Sequence, residues 1–368
     1  MANKRAKIIV FSCFYDPFIS GAEFFVKEVV ERLADRYDFT IIAARLDKSL
    51  PKYEKRELFE YYRVGLGNSF DKWLYAILAP RLAKKLKPDL AHAVMESYAG
   101  IAAWRFKKSN KNIPTVLTLQ SGDLDDPSKR RKIPNWLWKK IHTTPDIITA
   151  ISTALAERAK RLGAKEDRVV IIPNGVDLEL AKNSQAEPVT GRIICVARLS
   201  WEKALDYLVR AMPEVIAEFP QAHLTLVGEG DKRQEIESLV KELNLGDKIK
   251  LLGKLPHDET LKEIGKSEIF ICPSLAEGLG IVFIEAQACG VPVIGTRVGG
   301  IPDVIQDNET GLLVEPRSSE AISQALKKML GNEEMRQRLK QNALQNLERF
   351  NWDRIAGQVA AEYEKLLS

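Results

Sequence analysis

Cysteine and histidine are scarce in this chain of 368 residues, with four of each. Cys13, Cys195, Cys272 and Cys289 lie inside apolar stretches without C-x-x-C spacing. That counts against a disulfide scaffold or a thiolate zinc site and predicts buried, reduced thiols. His92, His142, His223 and His257 show no ligand spacing, so a histidine metal centre is not expected either. The apolar run at 8–14 is seven residues long and gives way to Asp16-Pro17, against about 20 residues for a membrane-spanning helix. No small-residue cleavage site follows it, so the sequence predicts a cytoplasmic protein. Low-complexity tracts and internal repeats are missing, and so is the G-x-G-x-x-G dinucleotide fingerprint. Gly228-Glu229-Gly230 starts one without completing it, which argues against NAD.

What is present is ordinary globular material, 45% apolar and 29% charged. At roughly 100–200 residues per domain, the length predicts two domains. Residues 1–185 carry 33 Lys and Arg against 22 Asp and Glu, a net +11, and the remainder is −6. Opposite signs in the two halves place an anionic partner nearer the first. Short β-branched runs alternate with helical segments throughout. In the first half they are 7–14, 39–46, 61–66, 89–95, 115–120, 146–152 and 168–174. After a polar stretch at 182–191 they resume at 192–198, 223–230, 249–255, 269–274, 291–296 and 311–316. Continuous apolar character predicts parallel strands buried on both faces. The expected fold class is therefore α/β, with two doubly wound Rossmann-like domains facing across a cleft. The expected boundaries are 1–182 and 183–350.

Ligands of such sheets bind beyond the carboxyl ends of the strands, so the residues there are the candidates. Glu277 follows the run 269–274 in a glycine-bearing loop, Glu277-Gly278-Leu279-Gly280, that opens the helical segment IVFIEAQA at Ile281. A helix start offers free N–H groups to an anion, and glycine lets a phosphate approach the backbone. Glu285 sits among Val282, Phe283, Ile284 and Ala286, where a carboxylate needs hydrogen-bonding partners. Glu277 could equally cap its own turn, and Glu285 could bond a neighbouring loop. Arg198 and Lys203, in RLSWEK, form a second cluster able to grip a diphosphate, although a surface pair would look the same. Gly21, in Ser20-Gly21-Ala22-Glu23, is a third place where backbone could meet a phosphate or sugar. His92, near the end of a first-half strand, is a candidate for catalysis or for a core hydrogen bond.

Taken in order, these segments resemble the retaining glycosyltransferases of the GT-B fold, the family of sucrose synthases and bacterial phosphatidylinositol mannosyltransferases. Glu277 to Glu285 fits the family's E-x7-E, and RLSWEK its diphosphate-binding Arg and Lys. Val291-Pro292-Val293 with Gly299-Gly300, and Asn174-Gly175-Val176-Asp177, match further segments. The resemblance implies that Arg198 and Lys203 hold the donor diphosphate, Glu277 the sugar hydroxyls and Glu285 the ribose. It also implies that Gly21 approaches the diphosphate or sugar, that the backbone of Gly278, Leu279, Gly280 and Ile281 meets sugar and phosphate, and that Lys254 and Leu255 border the base. The segment after Asn351-Trp352 would be a terminal helix, 351–368, packed on the first domain. The co-substrate would be a UDP or GDP sugar, with no cofactor and no metal. Consistent with that, the second half has no D-x-D.

The acceptor side departs from the family. Its His-x-His is His92-Ala93-Val94 here, and its next histidine is replaced by Gln120 in LQSGD. His92, Gln120 and Asp123 are the acceptor-side candidates, and no general base is assigned. SKRRKIPNWLWKK (128–140) interleaves cations with Trp136 and Trp138, and DKWLYAIL (71–78) is also aromatic. Such stretches suit an anionic membrane surface and a lipid-linked or glycan acceptor at the inner membrane face, or simply a solvated basic face over core tryptophans. Two other functions compete, a nucleotide-sugar epimerase of the same plan and a basic nucleic-acid-binding protein. The E-x7-E context disfavours the first, and the lack of a recognition module disfavours the second.

Overall fold

The strand β1 (Ala6–Phe11) is buried from Ile8 onward and pairs in parallel with a strand on either side. The structure is a computed structural model that describes residues 5–18, 21–122 and 133–368. After β1 come β2 (Tyr37–Ala44), β3 (Tyr53–Lys55), β4 (Phe59–Val64), β5 (Leu90–Val94), β6 (Thr115–Leu119), β7 (Ile147–Ala150) and β8 (Val169–Ile171). They form one sheet in the order β3-β4-β2-β1-β5-β6-β7-β8. Every pairing is parallel except β3 on β4. The sequence reading missed β3 because Tyr-Glu-Lys has no apolar pattern. It is a short, polar edge strand held by side chains, with the Tyr53 and Tyr62 rings 4.8 Å apart and Glu54 paired to Arg63.

The helix Gly21–Leu33 turns Phe25, Val26, Val29, Val30 and Leu33 inward at helical spacing. The helix Trp352–Leu367, from the far end of the chain, packs beside it. Phe24 and Phe25 meet the Trp352 ring at 5.8 and 6.3 Å, and Arg32 pairs with Asp353 at 2.7 Å. Each fully buried Val, Leu, Ile or Phe of this layer contributes about 1.5–3 kcal/mol.

Residues up to Asn174 together with Trp352–Ser368 make one compact unit, and Gly175–Asn351 make the other. The division falls eight residues before the expected 182/183 boundary. The short helix Leu178–Lys182, capped by Asp177 through the Leu180 N–H at 2.9 Å, buries Leu178 and Ala181 against the helix Ile281–Ala288 of the second unit. The polar stretch that suggested a linker instead leads directly into β9 (Val189–Val196). Then follow β10 (His223–Val227), β11 (Ile249–Gly253), β12 (Ser267–Cys272), β13 (Val293–Thr296) and β14 (Leu312–Val314). Their order is β11-β10-β9-β12-β13-β14, parallel throughout. The winding reverses between β9 and β12, so their carboxyl ends form the switch point at which such sheets bind ligands. All four cysteines are free and buried. No helix among the described residues is long and apolar enough to cross a membrane.

Candidate functional site at the β9–β12 switch point

Chain leaving β9 reaches Arg198 two residues on and then makes a turn at Trp201–Lys203, ahead of the helix Leu205–Glu218. Chain leaving β12 reaches Glu277 and then the helix Ile281–Ala288. The two loops are tied together twice. The Leu275 N–H donates to the Glu202 carbonyl at 2.7 Å, and Lys203 Nζ lies 2.5 Å from Glu277 Oε2. Burial works against the Lys203 charge, but the Glu277 carboxylate, Cys272 and Glu202 outweigh it and hold the ammonium above its ordinary range. The cation is therefore fixed in place at neutral pH.

Arg198 is 63% exposed, yet it is not loose. Its guanidinium pairs with Glu202, and its Nε donates to Ser200 Oγ at 3.3 Å. Burial disfavours ionised Glu202. Its own backbone N–H, the Ser200 hydroxyl and Arg198 prevail, and the carboxyl stays below its usual range. Glu202 and Ser200 were missed as members of the site. The signal available was the i, i+4 spacing of Arg198 and Glu202.

Glu277 spends its second oxygen on the Gly278 N–H at 3.2 Å, so the capping role and the Lys203 pairing coexist. Two glycines shape its surroundings. Gly280 caps the helix with φ +92°, a left-handed conformation that suits glycine. Gly299, at φ +54°, lies so close to the Glu277 carbonyl that a Cβ would stand 1.9 Å from it. The Gly300 N–H then donates to that carbonyl at 3.2 Å. The β13 loop thus grips the Glu277 backbone and leaves the side chain to Lys203. Phe283 and Ile284 anchor the helix in the core, Phe283 edge-on to Phe270 at 5.5 Å.

Glu285 has the partner its apolar setting required, since His257 Nε2 lies 2.8 Å from its Oε1. His257 opens the helix His257–Gly265, just beyond exposed Lys254 and half-buried Leu255 at the end of β11. Nothing in the spacing of the histidines had marked it. A cavity of about 770 Å³, lined by Trp201, Tyr207, Lys232 and Glu235 among others, adjoins the turn. Arg198, Lys203 and Glu277 are not among the residues that line it, so it is distinct from the cluster at the switch point.

The first unit treats its candidates differently. Of the two roles open to His92, catalysis and a core hydrogen bond, the structure shows the second. The ring is buried, with Nδ1 2.6 Å from the Tyr363 hydroxyl and Nε2 2.6 Å from Thr118 Oγ1. Burial pushes its pKa down to about 3. With both nitrogens engaged and the ring neutral, it serves the core. Gln120 makes a reciprocal amide pair with buried Asn174, at 3.0 and 2.8 Å. Beside it, Glu96 and Arg158 form a buried ion pair. Gly21 begins its helix and is exposed. Asp123 and residues 128–132 lie outside the described residues. Of the two tryptophans in that segment, Trp138 is buried and Trp136 is 60% exposed, edge-on to Trp104 at 6.0 Å. Among the described residues, no group of three or more His, Cys, Asp and Glu side chains is placed to hold a metal.

Comparison with known proteins covers both units. The family description "Glycosyltransferase Family 4" matches residues 19–180, and "Glycosyl transferases group 1" matches residues 179–346. The chain is 27% identical to the N-acetyl-alpha-D-glucosaminyl L-malate synthase of Bacillus anthracis over 95% of both chains. It is 33% identical to a GDP-mannose-dependent phosphatidylinositol monomannoside mannosyltransferase of Corynebacterium glutamicum, over 52% of this chain and 55% of that one. Among solved structures, the sucrose-phosphate synthase of Thermosynechococcus elongatus superimposes with a TM-score of 0.83 at 24% identity, covering 98% of this chain and 99% of that one. An Anabaena protein solved with UDP and glucose gives 0.78 at 18% identity, covering 98% and 100%.

Proposed function

Because the chain belongs to the GT-B glycosyltransferases, we propose that it moves a hexose from a UDP or GDP sugar to a hydroxyl acceptor with retention of anomeric configuration. The observation that carries this reading is the pairing of Lys203 with Glu277, beside Arg198, across the β9–β12 switch point. When the bond between the anomeric carbon and the diphosphate oxygen breaks, negative charge grows on the diphosphate and the sugar becomes oxocarbenium-like. Arg198 and Lys203 lie where a diphosphate at the switch point would rest, so they stabilise the departing charge more than the ground state. Those cations do the work a metal would otherwise do, and turnover is expected to survive EDTA. Glu277, oriented by Lys203 and by its own Gly278 N–H, accepts from the sugar hydroxyls. Glu285 accepts from the ribose, and Lys254 and Leu255 border the base. Retention follows if the acceptor attacks from the leaving-group face, a departing phosphate oxygen taking its proton.

The relatives act, by name, on acceptors as different as L-malate and a phosphatidylinositol mannoside, so the acceptor reading rests on this chain's own surface. The first unit carries a net +11. Leu66, Phe70, Trp73 and Trp136 are exposed on it, with Lys139 and Lys140 one turn from Trp136. Aromatic tips interleaved with cations suit the headgroup region of an anionic bilayer, and a lipid-linked acceptor would be met there.

Thermal unfolding with UDP, GDP, ADP and their sugar conjugates, each with EDTA, tests the donor. A ligand at 100 times its Kd adds about 2.7 kcal/mol of stability. The expected result is a shift with uridine or guanosine diphosphates that is lost in Arg198→Ala. No shift with any nucleotide would overturn the assignment.

A further inference from the structure

We propose that His257 is a positioning residue for the donor. Its imidazole holds the Glu285 carboxylate in the orientation that receives the ribose hydroxyls, and its protonation sets how tightly the nucleotide sugar binds. The inference rests on the assignment of Glu285 to the ribose.

The geometry is specific. His257 Nε2 engages Oε1 of Glu285 at 2.8 Å, and no other hydrogen bond to that side chain occurs among the described residues. One carboxylate oxygen is thereby fixed and the other is left for a ligand. Glu285 is only 15% exposed, whereas His257 is 54% exposed, so the histidine meets solvent more freely than the carboxylate does. The charged groups facing the ring come from every element around it. They are Glu285 on the helix Ile281–Ala288, Asp177 ahead of the helix Leu178–Lys182, and Asp258 next in its own helix. A cation in the first turn of a helix is disfavoured by the helix dipole. The Glu285 hydrogen bond, working against burial and helped by the three carboxylates, more than offsets this and raises His257 above its ordinary range.

The sign follows from charge. Below the midpoint, the imidazolium compensates carboxylates that would repel an anionic diphosphate. Above it, the neutral ring leaves them uncompensated. Donor affinity should fall as pH rises through a midpoint above that of ordinary histidine.

The test is calorimetric titration of the full chain with UDP-glucose and with GDP-mannose, between about pH 5.5 and about pH 8.5, a range centred on histidine. The esterified diphosphates do not titrate there, so any slope belongs to the protein. Wild type is expected to weaken about two- to fivefold across the range, the scale of a solvent-accessible ion pair. His257→Ala should bind more weakly at low pH and show no slope. His257→Gln, which keeps a donor to Glu285, should recover part of the affinity with no slope. A His257→Gln variant that retains the wild-type slope would overturn the proposal, as would a His257→Ala variant that matches wild type throughout. Glu285→Ala separates the two assignments. If it binds donor as wild type does, the ribose reading fails and the role of His257 fails with it. If it binds poorly while both His257 variants match wild type, only the His257 proposal falls. Binding of neither nucleotide sugar at any pH would overturn the donor reading itself.

Discussion

Both units are doubly wound parallel sheets with polar side chains beyond the carboxyl ends of their strands, but they spend those side chains differently. In the first unit, Glu96 after β5 and Asn174 after β8 are buried and already bonded, Glu96 to Arg158 and Asn174 to Gln120. In the second, the Arg198 side chain is mostly exposed, and the described bonds to Glu285 leave one of its oxygens free. A polar group whose hydrogen-bonding capacity is used up internally stabilises the fold, whereas one with capacity to spare can take a ligand. The same strand-end address therefore carries opposite meanings in the two halves.

The largest expected effect breaks the saturated cluster. Arg158→Ala strands the Glu96 carboxylate, which has no exposure to solvent. Loss of one partner from a buried pair costs about 3–5 kcal/mol, so denaturant unfolding should show a drop of that size. The second unit predicts the reverse pattern. Arg198→Ala removes an exposed partner of buried Glu202, whose carboxylate keeps the Ser200 hydroxyl and a backbone N–H, so it should cost less stability than Arg158→Ala. It should also lower transfer by roughly a hundred- to a thousandfold, the loss seen when one transition-state donor is removed. If Arg198→Ala loses as much stability as Arg158→Ala, or Arg158→Ala is as stable as wild type, the contrast between the units is wrong.

Acid sharpens the same contrast. The folded pKa of His92 is depressed from 6.5 to about 3, so the ring stays neutral in the native state while the unfolded chain takes up a proton. The unfolded state binds more protons inside that window, and stability must fall as pH drops through it. The contribution of His92 is fully present above pH 6.5 and is lost progressively toward pH 3. Melting curves of His92→Gln should lose less stability over the interval than wild type does. An unchanged slope would mean that His92 is not kept neutral.

The sequence made the second unit far more legible than the first, for physical reasons. Arg198, Lys203, Glu277 and Glu285 stand at fixed short offsets from apolar runs, so finding the strands also located the residues that follow them. The pair Lys203–Glu277 spans 74 positions, yet both members lie just beyond adjacent strands of the switch point. The partners that tune them were not legible. His257 reaches Glu285 only because two helices pack together, and no local pattern encodes that contact. His92 looked like an active-site residue because it lies near the end of an apolar run. Its true partner, Tyr363, lies 271 positions away on the final helix. The polar edge strand β3 and the early boundary after Asn174 were missed because cross-strand pairing and helix docking, rather than hydropathy, determine them.

The smallest expected effect concerns the surface that differs most in charge between the units, +11 in the first against −6 in the second. Long-range attraction to anionic lipid should come from the cations and be screened above about 0.15 M salt, where the Debye length is near 8 Å. The exposed aromatic tips should add a contribution that salt does not remove. Trp136 separates the two, being exposed at 60% while its neighbour Trp138 packs in the core. Trp136→Ala should therefore leave stability unchanged and weaken co-sedimentation with phosphatidylserine vesicles a few-fold, with the difference persisting at high salt. Lys139→Glu paired with Lys140→Glu should instead abolish the salt-sensitive part. If neither variant changes vesicle binding, or wild type ignores the vesicles at low salt, the basic face is solvated surface and the acceptor need not be a lipid.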